Sequence, residues 1–219
     1  MKSIFDLESP LIGALTKIGD CICLSVFWLV FSLPIFTLGA SSAALYSAVH
    51  HCLGRGEAGV WKKFWTAFQD NFKRSTLAWL IELLVLALLF VDAGVFRGIR
   101  LSGGPMGKLY WLALFFMAVG LTWTAYVAAY SARFNGSVRE VLRFGRILMS
   151  LHPIRALGVM LPIVAGVILM LAAPVMLIFV PAGVCWINSL ILEKVFRLHM
   201  RPEDLEKEEA LDELDQPKE

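Results

Sequence analysis

Long apolar stretches alternate with shorter polar segments over most of this chain. A helix needs about 20 mostly apolar residues to cross the hydrocarbon core of a bilayer. The last apolar block, residues 156–192, carries no charged side chain, and as a single helix it would be about 55 Å long. That exceeds any bilayer, so the block must turn, and Pro174 and Pro181 offer the place. We predict membrane spans at residues 18–38, 76–94, 109–131, 156–173 and 180–197.

Two features of the first third of the chain qualify this pattern. Pro34 predicts a kink or a stop near the end of the first span. Residues 39–52 are apolar and rich in small side chains, but this segment is short for a span. We expect a half-buried or interfacial helix there. A sixth span or a re-entrant helix stays open, and a true span would move the N-terminus to the other side of the membrane.

An amphipathic pattern precedes the second span. In residues 60–74 the aromatic side chains recur at helical spacing on one face, and lysines and other polar residues take the remainder. A basic helix with an aromatic face is typical of a helix lying in the membrane plane. The face is expected to lie on lipid or on the helix bundle, with a docking surface for a partner as the alternative. Its members are Trp61, Phe64, Trp65, Phe68 and Phe72.

A second amphipathic helix is predicted over residues 137–152. Ser137 and Glu140 have the spacing of a capping box, which satisfies free backbone N–H groups at a helix start. Arg139, Arg143 and Arg146 share one face, where like charges repel mildly, so an anionic surface is expected opposite them. Lipid headgroups are the default, and the acidic C-terminal tail or a partner protein are the alternatives.

The composition agrees with a membrane protein and hides a charge asymmetry. Hydrophobic residues make up 58% and charged residues 17% of the chain, against about 45–50% and about 25% in soluble domains. The formal net charge is only +2. Residues 203–219 hold nine acidic residues and two lysines, a net charge of −7, whereas residues 1–202 carry +9. We therefore divide the chain into an all-α membrane domain, 1–202, and an acidic cytoplasmic tail, 203–219.

The distribution of basic residues predicts the orientation. Lysine and arginine are concentrated in the segments 55–74 and 133–155 and after the last span, and the turn near 174–181 has none. Cytoplasmic loops carry an excess of these residues. This predicts an N-terminus outside and a C-terminus in the cytoplasm. Asp6 and Glu8 do not suit the basic start of a signal peptide, so the first span is expected to remain as an anchor.

Glu82 is the strongest candidate for chemistry. It lies about two turns inside the second predicted span, where a charge is costly and often functional. It is either a protonated or paired carboxyl group that bridges helices, or a substrate or proton site. Asp20 and Asp92 lie near span ends and are expected at the interface.

Other chemistry is weakly supported. His50, His51 and Cys52 lack a second pair of ligands with metal-site spacing, so we predict no metal and no cofactor. Phosphate-binding, serine-hydrolase and metalloprotease motifs are absent from the sequence, and we predict that the protein is not an enzyme. The positive-inside rule accounts for the basic loops without a nucleic-acid partner.

Several short motifs resemble one family. They are FSLPIFTLGAS at 31–41, ALY at 44–46, FW at 64–65, NFK at 71–73, ARF at 132–134, HP at 152–153 and, at the start, FDLESPL at 5–11. Together they resemble the YesL-like family of bacterial membrane proteins, over residues 1–200. The resemblance implies a domain of unknown function in the bacterial cell membrane. Its members are often encoded beside carbohydrate ABC transporters and glycan-degrading enzymes, and no catalytic residues come with it.

Three functions are compatible with these observations. The leading hypothesis is a non-enzymatic accessory or regulatory partner of a carbohydrate ABC transporter, touching its permease or ATPase subunits. The alternative is a small transporter or channel with Glu82 in the pathway, supported by the proline-interrupted segment 34–44, since broken helices often line binding sites. A lipid-organising structural protein is the third.

Overall fold

The predicted all-α architecture is confirmed. A computed structural model describes residues 10–199 of the chain, and neither the acidic tail nor most of the N-terminal motif at 5–11 lies within it. Seven α-helices follow one another in this part. They are α1 (Pro10–Ser32), α2 (Leu38–Val49), α3 (Val60–Leu101), α4 (Leu109–Arg133), α5 (Val138–Leu151), α6 (Pro153–Ala172) and α7 (Val180–Arg197).

The first helix stops where its proline predicts. α1 ends at Ser32, two residues before Pro34, and a short 3₁₀ turn over Ile35–Thr37 leads into α2. The hydroxyl of Thr37 donates to the carbonyl oxygens of Phe31 at 2.6 Å and Pro34 at 2.7 Å. These bonds satisfy carbonyl groups that the end of the helix leaves free. The predicted 18–38 segment is therefore not one helix, because its last residues belong to the turn.

The expectation of a half-buried or interfacial helix at 39–52 is wrong. α2 lies at the centre of the bundle and contacts α1, α3, α4 and α7. Ala40, Ala44 and Ala48 are completely buried, as are several neighbours, and a π-helical turn over His50–Gly54 extends the helix. Small side chains let several helix backbones approach closely. The small residues of this segment therefore explain why α2 lies at the centre of the bundle.

The amphipathic segment 60–74 and the second predicted span form one helix. α3 runs unbroken for 42 residues, about 63 Å. A separate helix lying in the membrane plane is therefore contradicted. The aromatic residues of its first half pack on α1 instead: the Phe31 ring lies 5.6 Å from that of Phe64 and 5.0 Å from that of Phe68.

In the second half of the chain, α4 packs on α3, α5 packs on α4, and α6 packs on α7. α4 returns along α3, since Gly120 lies against Leu86 and Arg74 bonds to Ser131. α5 is the predicted amphipathic helix, and its capping box between Ser137 and Glu140 is present. α6 and α7 are antiparallel, and a 3₁₀ turn beginning at Pro174 joins them, where the prolines predicted a turn.

Within residues 10–199, four helices are long and apolar enough to cross a membrane. They are Gly13–Ser32, Val60–Leu101, Pro105–Arg133 and Pro153–Ala172. α7 is not among them, and its last turns hold Glu193, Lys194 and Arg197. Large apolar side chains on the outside of these helices, such as Phe90 at 71% exposed, suit contact with lipid. The fold is thus compatible with a membrane protein, while the predicted count of five spans is not established.

Candidate functional site

Glu82 is buried inside the bundle. Glu82 lies on α3 and is 2% exposed. The Oε1 atom has no hydrogen-bond partner within the described part of the chain. Glu82 lines a cavity of about 70 Å³ together with hydroxyl groups from three helices, among them Ser42, Ser75 and Thr124. The carboxyl group that the sequence singles out thus lies at a small cavity whose walls are mainly apolar.

The start of α2, just after the broken segment, closes one side of this cavity through Gly39 and Ser42. The indole Nε1 of Trp79 donates to the carbonyl oxygen of Ile35 at 2.7 Å and so ties the 3₁₀ turn to α3, one turn before Glu82. Gly39 lies against the same turn of α3: a Cβ built there would be 2.4 Å from Trp79 Cβ and 2.5 Å from the backbone oxygen of Ser75. Only glycine permits this approach of α2 to α3.

A larger, mostly apolar cavity adjoins the first. It has a volume of about 340 Å³ and shares Ser42, Trp79 and Thr124 with the smaller one. Asn188 of α7 lines it, is 4% exposed, and leaves its Oδ1 without a hydrogen-bond partner. Sequence reasoning missed this residue, although Asn188 is the one amide side chain of the uncharged block 156–192.

The arrangement has a clear chemical consequence. A buried polar atom without a partner is costly, and an isolated buried charge more so. Among the described residues, no lysine, arginine or histidine lines either cavity. The Glu82 carboxyl group therefore either carries a proton or faces a cation that comes from outside the chain.

The aromatic face of α3 is not a free surface. Phe64 is fully buried, Phe68 is buried, and Trp65 and Phe72 are half-buried, because α1 and α2 cover them. Trp61 alone among the five residues of this face is exposed, at 50%. Packing on the helix bundle, one of the two expected positions of this face, is what the structure shows for four of its five residues.

The arginine face of α5 is exposed. Arg139, Arg143 and Arg146 all point away from the bundle, while Val141 and Leu148 are buried against it. Gly145 allows this contact, since a Cβ there would lie 2.7 Å from the Val127 side chain.

The basic segments predicted to share one side of the membrane meet in the fold. Arg74 of α3 donates to Asn71, to both the hydroxyl and the carbonyl oxygen of Ser131, and to Asn135. Glu193 of α7 forms an ion pair with Arg133. The first half of α3 and the C-terminal ends of α4 and α7 are thereby joined by charged and polar contacts.

Glu193 also connects α2 to this end of the bundle. The Tyr46 hydroxyl donates to Glu193 Oε1 at 2.8 Å, and His50 Nδ1 lies 3.5 Å from the same oxygen.

An ionic cluster also holds the loop before α3. Glu57 Oε1 is 2.8 Å from His51 Nδ1, and Lys63 forms an ion pair with the other carboxylate oxygen. Burial by itself raises the pKa of Glu57, but hydrogen bonds from Lys63 and His51 more than offset it and lower the pKa to about 2. His50 and His51 thus contact two different carboxylates.

One family matches the chain. Its description is "Protein of unknown function, DUF624", and the match covers residues 21–93, about a third of the sequence. The matched part runs from within α1 into the last third of α3 and includes Glu82. No match was found among curated proteins or among solved structures. The match supports a relation to an uncharacterised family and leaves the activity open.

Proposed function

We propose that the chain is a non-enzymatic, multi-pass protein of the bacterial cell membrane that assists or regulates a transporter made of other subunits. In this proposal five helices cross the membrane, with α7 as the fifth, and the C-terminus lies in the cytoplasm. The gathering of basic residues at one end of the bundle supports that orientation, because positive charge marks the cytoplasmic side.

The exposed arginine face of α5 is the observation that carries this proposal. α5 is anchored to the bundle by its apolar side, so its three arginines form a rigid basic surface. Basic surfaces of this kind attract and orient acidic partners. Since the aromatic face of α3 is covered, α5 is the contact surface in this account.

The nature of the partner comes from the sequence resemblance. The motifs shared with the YesL-like family imply a carbohydrate ABC transporter, and a match to a family of unknown function is compatible with that. The partner surface would be an acidic part of a permease or ATPase subunit near the membrane.

Site-specific crosslinking tests the proposal. A photo-crosslinking residue replaces Phe144, which is 42% exposed between the arginines of α5, and the control carries it at Phe90 on the outer side of α3. In membranes of the native bacterium, we expect capture of transporter subunits from position 144 and not from position 90. Recovery of no transporter subunit from position 144 would count decisively against the proposal.

Charge variants sharpen the same test. The triple variant Arg139→Gln, Arg143→Gln, Arg146→Gln is expected to abolish capture. The matched triple Lys17→Gln, Arg97→Gln, Lys108→Gln removes exposed charges elsewhere and is expected to leave capture unchanged. Equal capture by both triples would show that the α5 surface is not the contact.

A second function is favoured by the buried carboxyl group. Glu82 lines a cavity with Gly39 and Ser42, which follow the break between α1 and α2, and such breaks often form the sites of transporters. In this alternative the chain is itself a small transporter or channel. Solute flux into vesicles containing the purified protein, lost in Glu82→Gln, is the expected result, and an unchanged flux in that variant would remove Glu82 from the pathway.

A further inference from the structure

Two of the buried atoms without partners belong to residues that line the space formed by the two adjoining cavities. Glu82 Oε1 borders the smaller cavity and Asn188 Oδ1 the larger one, and the two cavities share Ser42, Trp79 and Thr124 in their walls. The amide oxygen of Asn188 is a hydrogen-bond acceptor. The carboxylate of Glu82 is an acceptor that also carries a negative charge when it is ionised. We propose that this space binds a small organic amine, with its ammonium group at Glu82 and its apolar body in the larger cavity.

Charge complementarity selects the ammonium group. A carboxylate in a site of low dielectric gains most from a cation placed directly beside it, and the described lining residues supply none. An ammonium group has three N–H donors. One is assigned to Glu82, and the walls common to both cavities hold the hydroxyl oxygens of Thr124 and of Ser42, which also accepts a bond from the Trp28 indole.

The larger cavity selects an organic molecule over a bare ion. Its volume of about 340 Å³ falls within the range of roughly 300–1,000 Å³ for small-molecule sites. Its walls are mainly apolar, with Trp28 and Trp79 contributing aromatic rings. Aromatic faces also attract cations. A bare sodium ion would use the oxygen atoms around Glu82 and leave this space without an occupant.

Asn188 adds a second point of recognition. Its unpartnered oxygen lies on α7, whereas Glu82 lies on α3, so a ligand with a second donor would bridge two helices. Such a ligand would bind more tightly than a simple amine of the same size. This inference goes beyond the accessory role and holds whether or not α5 binds a transporter.

Binding of a defined amine by the purified full chain in lipid nanodiscs tests the inference. The probe is 2-phenylethylamine, its neutral counterpart of the same shape is 2-phenylethanol, and sodium chloride alone is the third ligand. Calorimetric titration measures each affinity, with empty nanodiscs subtracted. We expect saturable binding of the amine, at least about tenfold tighter than that of the alcohol, because a hydrogen bond to a charged group supplies that factor.

Two carboxylate variants make the assignment specific. Glu82→Gln keeps the shape of the side chain and is expected to weaken amine binding by at least about tenfold while leaving the alcohol unaffected. Asp92→Asn removes the exposed carboxyl group of the same helix and is expected to leave both affinities unchanged. Equal binding of amine and alcohol, or an unchanged affinity in Glu82→Gln, would refute the inference, and so would saturable binding of sodium with none of the amine.

A labelling experiment keeps the inference testable if Glu82→Gln does not fold. A hydrophobic carbodiimide modifies buried carboxyl groups that carry a proton, and mass spectrometry locates the modification in the wild-type chain. We expect modification at Glu82 that 2-phenylethylamine prevents and 2-phenylethanol does not. Modification at Glu82 that the amine fails to prevent would contradict the proposed site.

Discussion

Replacing Gly39 by alanine tests the close contact that shapes the candidate site. The new Cβ would lie 2.4 Å from Trp79 Cβ and 2.5 Å from the backbone oxygen of Ser75. Both distances are far below the optimal separation of nonbonded atoms, about 3.5–4.0 Å. One of the two partners is backbone, so a side-chain rotation cannot relieve the overlap. α2 must move away from α3.

The expected cost follows from that displacement. Overpacking of a well-packed core costs about 1–3 kcal/mol, and the involvement of backbone places Gly39→Ala near the upper end. Alanine is favoured over glycine inside a helix by about 1 kcal/mol. Gly39 lies in the first turn of α2, where that gain is small. We therefore expect a net destabilisation of about 2–3 kcal/mol.

Reversible unfolding in mixed detergent, followed by tryptophan fluorescence, measures the change. The control is Gly94→Ala in α3, where a Cβ meets nothing within 4 Å, and the expected result there is no loss or a gain of up to about 1 kcal/mol. A Gly39→Ala protein as stable as the control would refute the close approach of α2 to α3.

Three further predictions concern the charged end and α5. Glu57→Gln should lower the free energy of unfolding at neutral pH, and its difference from wild type should vanish as the pH falls from about 5 to about 2. The carboxyl group has a folded pKa of about 2 and an unfolded pKa of about 4.3, so it stabilises the fold only while it is ionised. A pH-independent difference in the unfolding free energy would contradict this. Arg74→Ala should lower the free energy of unfolding by about 1.5–3 kcal/mol, since it removes charge-assisted hydrogen bonds between α3 and α4. In the same unfolding assay, the control Lys73→Ala, at an exposed neighbouring residue, should lower it by less than about 0.5 kcal/mol. Ser137→Ala removes the N-terminal cap of α5 and should destabilise that helix by about 0.5–2 kcal/mol. The loss is measured as faster amide hydrogen exchange confined to the first turn of α5. Unchanged exchange in that turn would argue against the capping box.

Much of the local structure follows from the sequence. The end of α1 before Pro34, the capping box at Ser137 and the turn at Pro174 are effects of backbone geometry and nearby hydrogen bonds, which neighbouring residues determine. The apolar stretches likewise predict helices, because a bilayer demands that backbone groups be satisfied within the segment. Glu82 stands out in the sequence for the same reason, as an ionisable group where one is costly.

The tertiary structure decided which apolar faces meet protein. Lipid tails and protein interiors are both apolar, so the helical periodicity of Phe64 and Phe68 shows that they avoid water but not what covers them. The short segment 39–52 looked interfacial by its length, yet its small residues bring four helices together around it. The placement of Glu82 and Asn188 at adjoining cavities also depends on packing between distant parts of the chain, since these residues are far apart in sequence and the walls common to both cavities come from α2, α3 and α4.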